Sequence, residues 1–169
     1  DTPDYVVFDL DPDEGLGAEA VRAATLDVKS RLEELGLPTL LKTSGGKGFH
    51  VVVPLKPKAD WAEVKGFSHD FARAMEQTDP ELYTATLSKK ARKGRIFIDY
   101  LRNGRGSTTV APWSTRAKSN ASVSVPVPWT KLKGLAPDRF VLGSKQLAAV
   151  IKADDAWANY DKLRVPLKR

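Results

Sequence analysis

The chain has 169 residues, of which 41% are hydrophobic and 28% charged, and its formal net charge is +6. This composition is typical of a globular protein, large enough for one domain with its own core. The sequence contains no cysteine, which excludes disulfides, thiolate zinc sites and cysteine nucleophiles and suits a reducing, cytoplasmic location. No apolar run approaches the roughly 20 residues that span a bilayer, so no membrane partner is expected. The positive charge is compatible with a nucleic-acid or nucleotide partner, and equally with an ordinary basic surface.

The first part of the chain predicts a strand, a helix and a hairpin. Residues 5–10 alternate in polarity and predict a strand, whereas residues 17–35 have helical spacing and are followed by Gly36 as a C-terminal cap. Two short apolar runs, 40–43 and 49–55, flank a glycine-rich turn and are expected to pair. The helix is expected to pack through Val21, Val28, Leu32 and Leu35.

The remaining elements are predicted from similar patterns. A helix over 60–77 begins at Asp60 as N-cap and packs through Trp61, Val64, Phe71 and Met75; a shorter helix is predicted over 79–91. Strands are expected over 95–100 and 107–114, a loop or edge strand over 118–127, and a mostly helical region over 129–163 with Leu147, Val150 and Ile151 in the core. Together these elements predict a single α+β domain over 1–169, with a mainly antiparallel central sheet flanked by helices.

Three aspartates lie at the ends of predicted strands. Asp9 and Asp11 are two residues apart, so their carboxylates project from the same face of the first strand. Asp99 ends another apolar strand, where an unpaired buried carboxylate would be costly. If the two strands are neighbours, the three oxygen donors converge and can hold two divalent cations. The alternatives are that Asp9 and Asp11 open a turn at Pro12, and that Asp99 is a surface aspartate on a half-exposed strand.

The turn between the two hairpin strands has the composition of an anion site. Gly45, Gly46 and Gly48 allow backbone N–H groups to approach a phosphate closely, and Ser44, Lys47 and His50 add donors and charge. The spacing of a Walker A loop is absent. A flexible hairpin turn with an incidental lysine is the alternative.

Basic residues lie near the ends of the acid-bearing strands. They are Arg92, Lys93 and Arg95 before the Asp99 strand, Arg102 and Arg105 after it, and Arg116 and Lys118 at the end of the next strand. Such cations can neutralise a triphosphate, although each charge run is also typical of a solvated face. Arg102 is interpreted as a residue that holds its turn. His69 is interpreted as structural or on the surface.

Four segments, in their order along the chain, resemble a known family. DLDP, SGGKGFHVVVP and FIDYLRN resemble the signature motifs of the archaeo-eukaryotic primase superfamily, and TTVAPWSTRAK resembles the polymerase domains of bacterial ligase D. The resemblance extends over nearly the whole chain. It implies a nucleotidyltransferase that adds nucleotides, often ribonucleotides, to a primer 3′ end during end joining of broken DNA.

The resemblance also implies roles for individual residues and partners. Asp9, Asp11 and Asp99 would be the catalytic, metal-binding carboxylates for Mn²⁺ or Mg²⁺. The nucleotide phosphates would be bound by Ser44, Gly45, Gly46, Lys47, His50, Arg92, Arg116 and Lys118. The implied partners are nucleoside triphosphates, a DNA primer-template or DNA end, a ligase domain and a Ku-type end-binding protein.

The chain departs from this family pattern in three ways. The DLDP motif begins almost at residue 1, without an initiator methionine, whereas family members carry a preceding segment that contacts the DNA end; a fragment is therefore expected. Lys118 stands where arginine is frequent, which keeps the charge but loses the bidentate fork. Trp113 stands where tyrosine is common. The competing hypotheses are a non-catalytic module that binds nucleotides or DNA ends, and a metal-dependent phosphoesterase.

Overall fold

The structure is a computed structural model that describes residues 1–167. Its strands are β1 (Tyr5–Pro12), β2 (Leu40–Thr43), β3 (Phe49–Pro54), β4 (Tyr83–Thr84), β5 (Ile96–Asp99) and β6 (Pro126–Val127). Its α-helices are α1 (Ala18–Glu34), α2 (Trp61–Thr78) and α3 (Lys145–Ile151). Short 3₁₀ helices occupy Leu101–Asn103, Trp129–Lys131 and Asp161–Leu163.

The strands form one sheet in the order β4-β5-β1-β3-β2-β6. Neighbouring strands are antiparallel except for β4 and β5, which run parallel. The long, apolar β1 and β3 lie at the centre, and β2 pairs with β3 as the predicted hairpin. The predicted α+β fold with a mainly antiparallel sheet is confirmed.

Alternation along β1 gives the sheet two different faces. Val6, Phe8 and Leu10 are fully buried in the main core, where α1 and α2 pack on the sheet. Val7, on the opposite face, packs in a smaller cluster with Trp157 from the C-terminal segment. We call this second side the open face; because Asp9 and Asp11 follow Val7 at intervals of two, they project from it as well.

The ends of both long helices agree with the sequence. Gly36 has a φ of +75°, and the Leu37 N–H donates to the Leu32 carbonyl as in a Schellman motif. At the start of α2, Asp60 accepts a hydrogen bond from the Glu63 N–H, and the Glu63 side chain accepts one from the Asp60 N–H. This capping box fixes where α2 begins.

Two elements predicted in the middle of the chain are wrong. Residues 79–91 contain turns and the two-residue β4 in place of a helix, because Tyr83 enters the main core as part of a strand that pairs with β5. Residues 107–114 do not form a strand. They cross the open face as an irregular segment, and the Val110 carbonyl accepts its hydrogen bond from the Lys42 side chain.

The C-terminal part is also less helical than predicted. Over 129–163 the structure contains α3 and two short 3₁₀ helices, because Gly134, Pro137 and Gly143 interrupt any longer helix. Leu147 is buried as expected and Val150 packs partly against it, but Ile151 is 62% exposed. Leu35, predicted in the core, is also exposed. The predicted edge strand is confirmed at Pro126–Val127, a position that tolerates proline.

Among residues 1–167, no helix is long and apolar enough to cross a membrane.

Candidate active site

The three aspartates predicted to converge lie on adjacent strands. Asp9 and Asp11 share the open face of β1, and Asp99 lies directly opposite Asp9 in the antiparallel pairing of β1 with β5. The prediction that the two acid-bearing strands are neighbours is therefore confirmed. A turn at Pro12 is excluded, because β1 extends through Pro12.

Each of these carboxylates is engaged by a basic side chain. The pairs are Asp9 Oδ2 with His50 Nε2 at 3.3 Å, Asp11 Oδ2 with Arg92 Nη2, and Asp99 Oδ2 with Arg102 Nε at 3.0 Å. In this conformation each carboxylate is in contact with a basic side chain of the chain itself, which for Asp11 and Asp99 is an arginine. A bound cation would have to take over that role.

Burial and neighbouring charges shift the pKa values of the facing aspartates in opposite directions. Burial would raise the pKa of Asp9, but His50, Arg102 and Lys42 outweigh it and hold the pKa below its usual range. Burial raises the pKa of Asp99, the negative charges of Asp9 and Asp11 add to that rise, and the Leu101 N–H and Arg102 oppose it. The pair therefore behaves as two like charges at close range, of which one ionises readily and the other reluctantly.

The glycine-rich turn lies directly against β1. A Cβ atom at Gly48 would lie 1.5 Å from the Leu10 carbonyl oxygen, so no side chain fits there. The Ser44 hydroxyl donates to the Gly48 carbonyl at 2.5 Å and accepts from the Gly46 N–H at 3.0 Å. Ser44 thus closes the turn, and its proton is already used within it.

A cavity of about 610 Å³ opens between the turn and the acidic end of β1. Its lining contains six basic and four acidic side chains, an excess of positive charge suited to a polyanion. The predicted site residues that line it are Asp9, Asp11, Ser44, Gly46, Lys47, Arg92, Arg116 and Lys118. Gly45 and Asp99 do not line it; Asp99 lies behind Asp9 and is 5% exposed.

The basic residues of this lining differ in how far they are engaged. Lys47 pairs with Glu14 at 3.0 Å, and Arg92 lies over the Phe97 ring while it pairs with Asp11. Within the described range, the side chains of Arg116 and Lys118 form neither hydrogen bonds nor ion pairs. These last two are the cations most available to a phosphate.

A second cavity of about 410 Å³ adjoins the first on the other side of Asp9. Asp9, Arg102 and Arg116 line both cavities, and His50 lines the second. The His50 side chain is 2% exposed. In the described part of the chain its Nε2 has no hydrogen-bond partner, because Asp9 Oδ2, although 3.3 Å away, is poorly aligned for a hydrogen bond. A buried donor or acceptor of this kind is suited to a ligand oxygen.

Sequence reasoning missed two residues near this site and gave only part of the role of a third. Arg102 does hold its turn, by pairing with Asp99 and donating to the Thr108 carbonyl, but it also lines both cavities. Asn103 is buried and bonds to the backbone of β1. Lys42 is buried beside His50, and its pKa is lowered to about 7, chiefly by burial. A lysine in a four-residue strand gives no sequence signal of burial, whereas Arg102 and Asn103 belong to the FIDYLRN motif.

The carboxylates suit Mg²⁺ or Mn²⁺ in donor type, because hard cations prefer oxygen ligands. In residues 1–167, however, no group of three or more His, Cys, Asp or Glu side chains is arranged to hold a metal ion. In the same structure Asp9, Asp11 and Asp99 are each paired with a basic side chain. Asp9, Asp11 and Asp99 have the oxygen donors that a divalent cation requires, and they lie on adjacent strands. To bind the ion, the carboxylates would have to release the basic side chains with which they pair.

The known proteins with similar sequences are LigD proteins. The model of the LigD primase-polymerase domain matches residues 1–157. The multifunctional non-homologous end joining protein LigD of Pseudomonas aeruginosa is 42% identical over 160 residues, which are 94% of this chain and 19% of that protein. The bifunctional LigD of Bacillus subtilis is 33% identical over 145 residues, 83% of this chain and 23% of that protein. The chain thus spans roughly a fifth of the length of these relatives.

A solved structure of a LigD domain has a similar fold. The polymerase domain from Mycobacterium tuberculosis Ligase D in complex with DNA matches with a TM-score of 0.85 and 30% identity, over 96% of this chain and 56% of that one. Together with the family match, this likeness shows that the chain belongs to the primase-polymerase domain family of LigD.

Proposed function

We propose that this chain is the catalytic core of a metal-dependent nucleotidyltransferase that adds nucleotides to a primer 3′ end in DNA end joining. The observation that supports this best is the register of Asp9 opposite Asp99, beside a positively charged cavity. Membership of the LigD family favours the same activity. The similar M. tuberculosis polymerase domain was solved in complex with DNA, which favours a DNA primer or DNA end as the second substrate.

Side chains and backbone groups around the two cavities would bind the phosphates of the nucleotide. Arg116 and Lys118, which lack protein partners in the described range, would bind the phosphates, and His50 Nε2 would meet a further phosphate oxygen from the adjoining cavity. The backbone of the glycine turn would hold the triphosphate beside β1. Fixed cations around the phosphates orient the nucleotide for in-line attack by the primer hydroxyl.

Asp9, Asp11 and Asp99 would hold the divalent cations, Mn²⁺ or Mg²⁺. When bound, these ions supply Lewis-acid stabilisation of the reacting oxygens, as in other two-metal phosphoryl-transfer sites. Arg92 and Arg102, displaced from Asp11 and Asp99, would then be free to bind phosphate. A ligase domain and a Ku-type end-binding protein are the proposed partners in the parent protein.

The proposal is tested by incubating the chain with a labelled primer-template, MnCl₂ and ribo- or deoxyribonucleoside triphosphates. Lengthened primers are expected for the unsubstituted chain and not for Asp9→Asn or Asp11→Asn. Glu34→Gln is the matched control, because this exposed carboxylate at the end of α1 loses the same charge but lines neither cavity. Extension should persist in Glu34→Gln.

The other outcomes identify the competing functions. Binding of nucleotide or DNA without any extension would favour a binding module, and shortened primers would favour a phosphoesterase. Undiminished extension by a homogeneous Asp9→Asn preparation would contradict the roles assigned to the aspartates.

A further inference from the structure

Four chemically active side chains form one transverse row across the open face. Asp99 lies opposite Asp9, Asp9 lies opposite His50, and His50 lies opposite Lys42. Directly opposed residues of antiparallel strands project from the same face, so the row continues from the acids of β5 and β1 to the lysine of β2. Lys42 is the one member of this row that the proposed function leaves without a role.

Lys42 is buried, with 2% of its surface exposed. Its Nζ donates to the Val110 carbonyl at 2.8 Å and to Ser124 Oγ at 3.0 Å. A lysine is costly to bury unless its N–H groups are bonded, and these two acceptors meet that requirement. Even a neutral amine keeps two N–H donors, so both hydrogen bonds persist when the ammonium loses its proton.

The two acceptors belong to two segments that pack against each other. The Trp113 N–H donates to the Ser124 carbonyl at 2.7 Å, and the Ser124 N–H donates to the Ser114 carbonyl at 3.0 Å. The first segment continues to Arg116, which lines both cavities. By bonding to both segments, Lys42 ties the part of the chain that carries Arg116 to β2.

The segment held by Lys42 also meets His50. Thr109 Oγ1 lies 3.5 Å from His50 Nδ1, one residue before the Val110 carbonyl that Lys42 holds. The opposite ring nitrogen, Nε2, faces Asp9. A hydroxyl that donates to Nδ1 leaves the ring proton on Nε2, where it can be donated to an anion.

We propose that Lys42 is a positioning residue, which holds residues 109–116 on β2 so that His50 and Arg116 face the phosphates of a bound nucleotide. This role in nucleotide binding rests on the proposed function. The placement of the His50 ring by Lys42 and Thr109 does not, and can be measured without any nucleotide.

The test uses Lys42→Met, which fills the same space without donors, and Lys152→Met as the matched control, because Lys152 is exposed beyond α3. The chain has two histidines, so ¹⁵N spectra of the imidazoles contain one ring at the site and His69 as an internal reference. In Lys42→Met the His50 signals should move while those of His69 stay. Affinity for ATP with MgCl₂, measured by calorimetry, should fall on the order of tenfold, the usual effect of removing a supporting residue. Lys152→Met should change neither reading.

Thr109→Val supplies a second test that leaves the buried lysine intact. It should move the His50 signals through loss of one hydroxyl. Unchanged His50 signals and ATP affinity in a folded Lys42→Met, checked by circular dichroism, would overturn the proposal; so would unchanged signals in Thr109→Val if Lys42→Met does not fold. If the unsubstituted chain binds no ATP, the proposed function fails, whereas the His50 spectra still decide the positioning role.

Discussion

The amide side chain of Asn103 forms two hydrogen bonds with the backbone of Val7. Its Oδ1 accepts from the Val7 N–H at 2.8 Å, and its Nδ2 donates to the Val7 carbonyl at 2.8 Å. Pairing between β1 and β5 ends at the Asp9–Asp99 register, so the amide supplies partners for the backbone of Val7, two residues further along β1. The same 3₁₀ turn carries Arg102, and its position therefore depends on β1.

Asn103→Ala should destabilise the protein, because two buried backbone groups of Val7 lose their partner. The expected loss in the free energy of unfolding is on the order of 2–4 kcal/mol, measured by denaturant titration. Asn120→Ala, on an exposed turn, should change stability little. Equal stabilities of the two variants would show that the amide does not support β1.

Gly48→Ala should displace the glycine turn, since the new methyl group would overlap the Leu10 carbonyl. We expect a loss of stability on the order of 3 kcal/mol and a clear loss of affinity for ATP with MgCl₂, measured by calorimetry. Gly15→Ala is the control, because no atom lies within 4 Å of a Cβ at that position. Full nucleotide affinity in Gly48→Ala would mean that the turn does not contribute to binding.

Arg92→Met should strengthen the binding of Mn²⁺ alone and weaken the binding of the triphosphate. The guanidinium pairs with Asp11 and so competes with a cation for that carboxylate, but it would be a phosphate ligand once released. Both affinities can be measured by calorimetry. Lys93→Met, next in the chain but not part of the cavity lining, is the control for the change in net charge.

Mn²⁺ should stabilise the protein more near neutral pH than at an acidic pH at which Asp99 is protonated. Asp99 has a raised pKa, so its contribution to stability is present in acid and is lost as the pH rises through that pKa. A divalent cation relieves this loss by binding the ionised form. The measurement is the Tm with and without MnCl₂ at each pH, and the pH dependence should be smaller in Asp99→Asn.

Lys42 gives a pH dependence of the opposite sign. Its pKa falls from 10.5 to about 7 in the folded protein, mainly because burial disfavours the charged form. Between these values the unfolded chain binds a proton that the folded chain lacks, so stability rises with pH by up to about 1.4 kcal/mol per unit. Between these two pH values, the free energy of unfolding of the unsubstituted chain should therefore rise relative to that of Lys42→Met. Parallel curves for the two proteins would contradict the lowered pKa.

Local patterns in the sequence were sufficient for the elements that have strong local causes. The alternation in β1, the capping box of α2 and the glycine after α1 each depend on neighbouring residues, and all were predicted correctly. The aspartates were found because an acid that ends an apolar strand is itself a local anomaly.

The elements that failed depend on distant parts of the chain. Residues 107–114 have the composition of a strand, but they form only two backbone hydrogen bonds with Ser124, and the Val110 carbonyl is bonded by the Lys42 side chain in place of a neighbouring strand. The burial of Lys42 is invisible in sequence, because it requires acceptors at Val110 and Ser124, more than sixty residues away. Tertiary contacts decided these positions against local propensity.

The pairing of each carboxylate with a base has a thermodynamic consequence for loading of the site. A cation that arrives alone must leave arginines without counter-charges, and a triphosphate that arrives alone meets arginines already committed to acids. Each ligand removes the obstacle to the other, so their affinities should be mutually enhanced by the same factor. Such an exchange of partners would make the site fill cooperatively with the metal–nucleotide complex and hold either component only weakly by itself.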